Sequence, residues 1–370
     1  MEQNILRRRG VGLIGVDKER VFPGYTLFAP LSSPDSVYLV DNDGKDVHKW
    51  TLPYRPGRHA RILGNGNLAV NCALPDEPHL FLMWEKYRGG VMLQVDPQGK
   101  IVREHRDPLA HHDAHHMENG HILYATLEEL SDEDGTKVLG GVAGSEAPGG
   151  KVYADVIKEV DEQNNEIWSW SAFENLPRDK FPLQAHYPRE HYPLINTVYP
   201  LRDGNILASF RSVSAVVIIE KATGKIIWHL DYNVVAQQHN ANELENGNIL
   251  IFDNGAFRTG DSINFSRVIE VRRDTKEIVW EYRDRQQEAF FTPFMGSAQR
   301  LANGNTLINE AAFGRIFEVT KDGTVCWEYV NPYFAVYKVP QLAAVFKNES
   351  NALFRAYKYS KEEIPWLNLH

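Results

Sequence analysis

Short apolar runs alternate with polar turns along almost the whole chain, and the alternation repeats. One half of the repeat is an apolar strand closed by an Asn-Gly or Asp-Gly turn. It reads RHARILGNGNLAV from Arg58, HDAHHMENGHILYA from His112, NTVYPLRDGNILAS from Asn196, HNANELENGNILIF from His239 and GSAQRLANGNTLIN from Gly296. The other half is strand, acidic or Gly turn, strand, often ending in Trp: SVYLVDNDGKDVHKW, GVMLQVDPQGKIVREH, VIKEVDEQNNEIWSW, AVVIIEKATGKIIWHL, RVIEVRRDTKEIVWEY and GRIFEVTKDGTVCWEY. Strand pairs recurring at roughly forty to sixty residues predict a propeller or a solenoid. Hairpin turns between alternating strands favour antiparallel blades. The expectation is an all-β, six-bladed β-propeller in one domain spanning 1–370. GYTLFAP near Gly24 is the expected inner strand of the first blade, with NALFRAYKY near the C-terminus helping to close the ring.

Two long interruptions break the spacing. Residues 127–151 are acidic and then Gly-rich, and residues 172–193 are rich in Pro, aromatics and charge. Long segments in a compact domain are usually covers over a site or linkers, and the aromatics of the second favour an ordered lid. Both are expected over one mouth of the channel. The Gly-rich stretch lacks the GK[ST] ending of a phosphate loop.

Aligned on the turns, Arg58, His112, Asn196, His239 and Gly296 share one register position. Two residues later come the small Ala60, Ala114, Val198, Ala241 and Ala298. A repeat that keeps its packing residue while varying its polar one builds a scaffold around a site. Taking the two turn residues as the hairpin tip sets Asn196 opposite Arg211 and His239 opposite Asn254, about 5 Å apart on one face. Arg211 ends the apolar run LASF, where an unpaired charge is costly. The tier expected at one end of the channel is therefore His112, Asn196, Arg211, His239 and Asn254, with Arg58 at the same level.

HHDAHH has the ingredients of a metal site. On a helix, His111 and His115 would form a ligand pair. The segment leads into a hairpin, however, so alternation puts His112, Ala114 and His116 on one face and His111, Asp113 and His115 on the other. Ligation would need His112, His239 and His59 to converge from three blades. The expectation is no metal and no cofactor, with Asp113 fixing a histidine tautomer.

Charge narrows the partners. The 370 residues carry a net charge of −9, which argues against nucleic acid, since phosphate binding needs a basic surface. No run approaches the roughly 20 apolar residues of a membrane span. Residues 1–20, with Arg7, Arg8 and Arg9, read as a solvated tail rather than an export signal, because no apolar core follows. Cys72 and Cys326 lie in different repeats and suit a reducing cytoplasm. The expected partner is a small aromatic or anionic molecule, with homo-oligomerisation left open.

HHDAHHMENG, NTVYPLRDGNILASFR, QHNANELENGNILIFDNG and GSAQRLANGNTLINEAAFGRIFEVTKDG together resemble the bacterial arylsulfotransferase (aryl-sulfate sulfotransferase) family, from GYTLFAP through FRAYKY. The resemblance implies a six-bladed propeller. It also implies transfer of a sulfuryl group from a phenolic sulfate ester to a phenol without a nucleotide donor, through a transiently sulfated histidine. Carried over by motif, the nucleophile falls on His239, a supporting histidine on His112 and the sulfate-binding arginine on Arg211. Asn196, Asn254, Arg58, His59, His111 and Asp113 complete the substrate-binding candidates. One departure stands out. Relatives have a histidine two residues before the Asn of the third motif, where this chain has Leu194; either a nearby histidine such as His191 substitutes, or the chemistry has drifted. The competing expectations are a lyase or hydrolase using His112 and His239 as acid and base, and a binding propeller without chemistry.

Overall fold

The computed structural model describes residues 10–75 and 79–368, and its main sheets are six antiparallel blades around a central channel. In the second blade the strands run from the channel outwards as Arg55–Ile62, Leu68–Ala73, Gly90–Val95 and Ile101–Arg106. The innermost strands of the third to sixth blades are His111–His116, Ile195–Pro200, His239–Glu243 and Ser297–Arg300. The first blade departs from expectation. Its innermost strand is the C-terminal Leu353–Tyr359, and Tyr25–Pro30 is second. Gly12–Val16, expected within a solvated tail, adds a fifth strand to the outside of the sixth blade. Both ends of the described chain thus pair with strands distant in sequence. Residues 1–9, including the arginine cluster, lie outside the described residues.

The core is divided among the seams between blades. Leu123, Ile157, Val198 and Val217 fill the seam between the third and fourth blades, and Leu207, Val216, Ile251 and Ile269 the next. The repeated small residues Ala60, Ala114, Val198, Ala241 and Ala298 are all buried, which lets inner strands approach closely around the channel.

In five of the six repeats a terminal Trp clasps the following blade. Trp50 Nε1 donates to Asp96 O at 3.1 Å, Trp228 to Arg273 O at 2.8 Å, Trp280 to Lys321 O at 2.9 Å and Trp327 to Asn42 O at 3.0 Å. In the third blade Trp168 and Trp170 reach Lys221 O and Gly224 O. The second blade's repeat has no Trp, and Arg103 makes the equivalent reach, donating to Asp161 O at 2.6 Å and to Gly120 O.

Inner hairpins turn through three residues rather than two. Leu201 N donates to Asn205 O and Leu244 N to Asn248 O, with Gly204 and Gly247 at φ +85° and +84°. That left-handed conformation is cheap for glycine and typical of three-residue hairpin loops. A second irregularity lies at the other end. The register shifts between Ile195 and Thr197, between His239 and Asn242, and on the partner of His111–His116 between Tyr124 and Ala125. These bulges re-aim side chains where the strands enter the site, and they overturn the expected pairings: His239 lies opposite Phe252, and Arg211 N bonds Leu194 O.

The two long insertions meet. Gly140–Val142 pairs in parallel with Leu183–Pro188, and His191–Tyr192 pairs in parallel with the third-blade strand Tyr153–Val160. Part of each expected insertion is regular structure: 127–129 complete the strand Ile122–Glu129, and Ala172–Asn175 is a helical turn. No helix among the described residues is long and apolar enough to cross a membrane. Cys72 and Cys326 are buried and free.

Across the channel, Arg355 Nη1 and Nη2 donate to Asp113 Oδ1 and Oδ2 at 3.0 and 3.1 Å, and Nη2 also reaches Asn196 O and Thr197 Oγ1. Removing one partner of a buried ion pair strands the other's charge, at a cost of about 3–5 kcal/mol. Arg355→Met should therefore lower stability to urea by about that amount. A loss near that of a surface arginine would show that ring closure does not depend on this pair.

Candidate functional site

The bulged starts of the inner strands and the loops above them enclose a cavity of about 220 Å³ at one mouth of the channel. Arg58, His112 and His239, three of the five register positions, line it, as does Arg211. Tyr187, Glu190 and His191 of the second insertion also face it. Phe354 lies between the two histidines, its ring centre 6.0 Å from His112 and 6.2 Å from His239.

His239 is held in one tautomer. Asn254 Nδ2 is committed to Thr292 O at 2.8 Å and Met295 O at 2.7 Å, so its Oδ1 faces His239 Nδ1 at 2.7 Å. An amide oxygen only accepts, and Nδ1 therefore carries the proton. The lone pair is left on Nε2, where Met295 N donates at a long 3.2 Å. Burial first, then the Arg211 charge, brings the His239 pKa down to about 3. The ring is neutral at physiological pH.

His112 is backed by a second buried chain. Asp155, on Tyr153–Val160, accepts from His191 Nε2 at 2.8 Å and from Ile195 N at 2.7 Å. His111 Nε2 lies 2.8 Å from the same carboxylate oxygen as His191, off the axis of an ideal hydrogen bond. His111 Nδ1 is 2.9 Å from His112 Nδ1, and Tyr87 packs its ring 4.4 Å from that of His112. The Tyr87 hydroxyl bonds His191 Nδ1 at 3.0 Å. Burial alone would raise the Asp155 carboxyl, but the adjacent His191 and His111 hold it down at about 2. Burial, then the nearby His111, Arg58, His191 and His239, keeps His112 well below the ordinary imidazole range. His111, Asp155 and His191 also offer ligand atoms within 4.8 Å of one another, close enough to hold a metal ion.

Three cations face this space. Arg58 is committed to the chain, donating Nε to Tyr87 O at 3.0 Å and Nη2 to Lys86 O. Lys86 Nζ sits 4.2 Å from the ring centres of both Phe294 and Phe346. Burial, then Arg58 and Arg211, lowers its pKa to about 7. Arg211 lies over Tyr187 and donates Nη2 to Gln237 Oε1 at 3.3 Å. It makes no salt bridge among the described residues, which leaves its guanidinium available to an anion.

A profile described as Arylsulfotransferase (ASST) matches residues 74–332. The chain belongs to the arylsulfotransferase family. No curated protein matches its sequence. Among solved structures, a protein of unknown function from Bacteroides caccae is similar at 12% identity and a TM-score of 0.56, over 91% of this chain and 99% of that one. A streptogramin B lyase is similar at 14% identity and a TM-score of 0.47, over 89% and 87% of the two chains. A catalytically inactive virginiamycin B lyase from Staphylococcus aureus with quinupristin is similar at 10% identity and a TM-score of 0.46, over 90% of each chain.

Within this arylsulfotransferase-family chain, the expected tier divides. His239, His112, Arg211 and Arg58 meet in the cavity. Asn254 stands behind His239 and His111 behind His112, so both position rings rather than line the space. Asn196 is a blade-to-blade tie, donating Nδ2 to Gln238 O at 2.7 Å. Asp113 is a second correction: it pairs with Arg355, accepts from Val198 N at 2.9 Å and lines a separate cavity deeper in the channel. The carboxylate that meets histidines in the network behind His112 is Asp155. His112 has φ +46°, and this left-handed residue breaks the face alternation on which the Asp113 expectation rested. Gly296 is small for a packing reason, since a Cβ there would meet the Phe252 ring at 2.5 Å. The side chain of His59 lies outside the described residues. Leu194 lines the cavity at φ +64°, and His191, named as a substitute for the missing histidine, lines it too while bonded to Asp155. Sequence reasoning does not find Asp155, Tyr87 and Lys86, which lie off the repeated register, nor Phe354, which holds the register position two residues before the buried Ala356 on a strand that no Asn-Gly turn follows.

Hydrogen bonds to a charged group contribute about 1.5–3 kcal/mol, which is roughly 10- to 100-fold in affinity. Arg211→Ala should weaken binding of 4-nitrobenzenesulfonate by that factor while leaving the melting temperature nearly unchanged. Calorimetry and thermal unfolding measure the two. Unchanged affinity, or a protein that no longer folds, would make Arg211 a structural residue.

Proposed function

We propose that this cavity moves a sulfuryl group from a phenolic sulfate ester to a phenolic acceptor without a nucleotide donor, with His239 as the covalent carrier. The observation that carries the reading is the locked tautomer of His239, which presents a neutral ring with its lone pair on Nε2, beside the unpaired Arg211. Family membership supports the reaction class.

In the first half-reaction the Nε2 lone pair forms an N–S bond while the S–O bond to the donor phenol breaks. A planar guanidinium such as Arg211 grips two sulfuryl oxygens at once. The long Met295 contact yields as the N–S bond forms, and its N–H becomes available to a sulfuryl oxygen. In the second half-reaction the acceptor oxygen attacks sulfur, His112 Nε2 takes the phenolic proton, and His239 is released. His112 gives that proton to the next leaving phenolate, so no proton is gained or lost over a cycle. The anionic donor favours the protonated form of His112 once bound. Splitting one transfer into two displacements gives ping-pong kinetics.

Incubation with 4-nitrophenyl sulfate should add one sulfuryl group to the peptide containing His239, and His239→Ala should abolish labelling and turnover together. Mass spectrometry reads the first, nitrophenol release the second. Labelling that survives His239→Ala would refute the carrier. A wild-type enzyme that consumes substrates without ever being labelled would favour a lyase or hydrolase using the same two histidines as acid and base.

Acidity gives a separate check. A histidine with its pKa lowered to about 3 stays neutral, and so nucleophilic, until pH falls towards that value. With a donor whose leaving group needs no proton, the labelling rate should stay flat from neutral pH down to about pH 5. A fall centred near the ordinary imidazole value, read in single-turnover experiments, would mean that an ordinary histidine carries the group.

A further inference from the structure

We propose that Asp155 is a positioning residue that sets where His112 carries its proton, acting through His111 without touching His112. The inference rests on the reading of His112 as the proton-transfer partner. Asp155 is buried, takes the Ile195 N–H on Oδ2 at 2.7 Å, and meets the Nε2 atoms of His191 and His111 at 2.8 Å each on Oδ1. An ionised carboxylate donates nothing, so both imidazoles present N–H at Nε2 and bare nitrogen at Nδ1. His191 Nδ1 accordingly accepts from the Tyr87 hydroxyl at 3.0 Å. His111 Nδ1 faces His112 Nδ1 at 2.9 Å. Two bare nitrogens would repel there, so His112 Nδ1 bears the hydrogen and its Nε2 is bare. His112 lines the cavity, and its Nε2 has no hydrogen bond among the described residues.

The same chain disperses charge. A proton taken on His112 Nε2 makes a cation in a cavity already facing Arg58, Lys86 and Arg211. As the acceptor O–H bond breaks and its electron pair attacks sulfur, the new Nε2–H bond forms. The Nδ1 proton can then shift to His111 Nδ1, which moves the positive charge beside the Asp155 carboxylate. On return, each proton retraces its path. The ring of Tyr87, 4.4 Å from that of His112 and bonded through its hydroxyl to His191, keeps the orientation fixed.

Asp155→Asn tests this with little change of shape. The amide oxygen can still accept from Ile195 N, but its NH2 now faces both rings. His111 must then present a bare Nε2 and an Nδ1–H, and His112 a bare Nδ1. Nitrogen-15 NMR of labelled histidines should show His112 bare at Nε2 in the wild type and at Nδ1 in the variant. Turnover with weakly acidic phenols should fall about 100-fold or more, within the usual range for a lost proton transfer, while His239 labelling by 4-nitrophenyl sulfate falls about threefold or less. His111→Phe cuts the chain while leaving Asp155 and His191 in place, and should give the same kinetic split if Asp155→Asn folds poorly. A wild-type His112 protonated at Nε2, a stoichiometric divalent ion among His111, Asp155 and His191, or equal losses of labelling and turnover in both variants would overturn the proposal. Absence of wild-type labelling would count against sulfuryl transfer alone, because the tautomer measurement reads the chain without it.

Discussion

The ion pair between Arg355 and Asp113 is the constraint on which the rest of the ring depends. Asp113 belongs to the third blade and Arg355 to the C-terminal strand that completes the first. The same guanidinium reaches Asn196 O and Thr197 Oγ1 in the fourth. Three inner strands are thereby fixed at one level of the channel. Above it lies the histidine-lined cavity, and below it a second cavity that includes the pair itself. The strand that carries Arg355 also supplies Phe354, the ring between His112 and His239. The strand that completes the first blade therefore also contributes to the lining of the site.

Electrostatics in the upper cavity follows from burial. It faces three cations and one carboxylate, Glu190, which burial pushes above its ordinary value. In such surroundings a protonated imidazole is costly, and both His112 and His239 are driven to the neutral form. The two rings differ in what stands behind them. An amide backs His239 and leaves its outer nitrogen with a lone pair. Behind His112 a histidine leads to a carboxylate.

Much of this was legible because the fold repeats. Six copies of the outer hairpin announced six blades, and the constant small residue beside a varying polar one located the inner face. That register found Arg58, His112 and His239, and the apolar run before Arg211 marked it as a charge with a purpose. Two kinds of information were hidden. Hairpin counting assumes regular strands, yet left-handed residues such as His112 and Asn240 introduce bulges that turn neighbours to other faces. Hence Asp113, expected beside a histidine, pairs with Arg355, the carboxylate that meets histidines is Asp155, and Asn196, expected in the site, ties two blades together. Residues from outside the register, including Lys86, Tyr87 and Asp155, converge only through the folded covers and the third-blade seam. The C-terminal strand carries no Asn-Gly turn to mark it, yet it is the innermost strand of the first blade.

The most direct test of the account is a high-resolution crystal structure of the wild-type protein trapped with an aryl sulfate donor. The account predicts a sulfuryl group bonded to Nε2 of His239, with the Arg211 guanidinium on its oxygens and Nδ1 still bonded to Asn254. Density on another residue, or sulfate held only in the lower cavity beside Arg355, would contradict it.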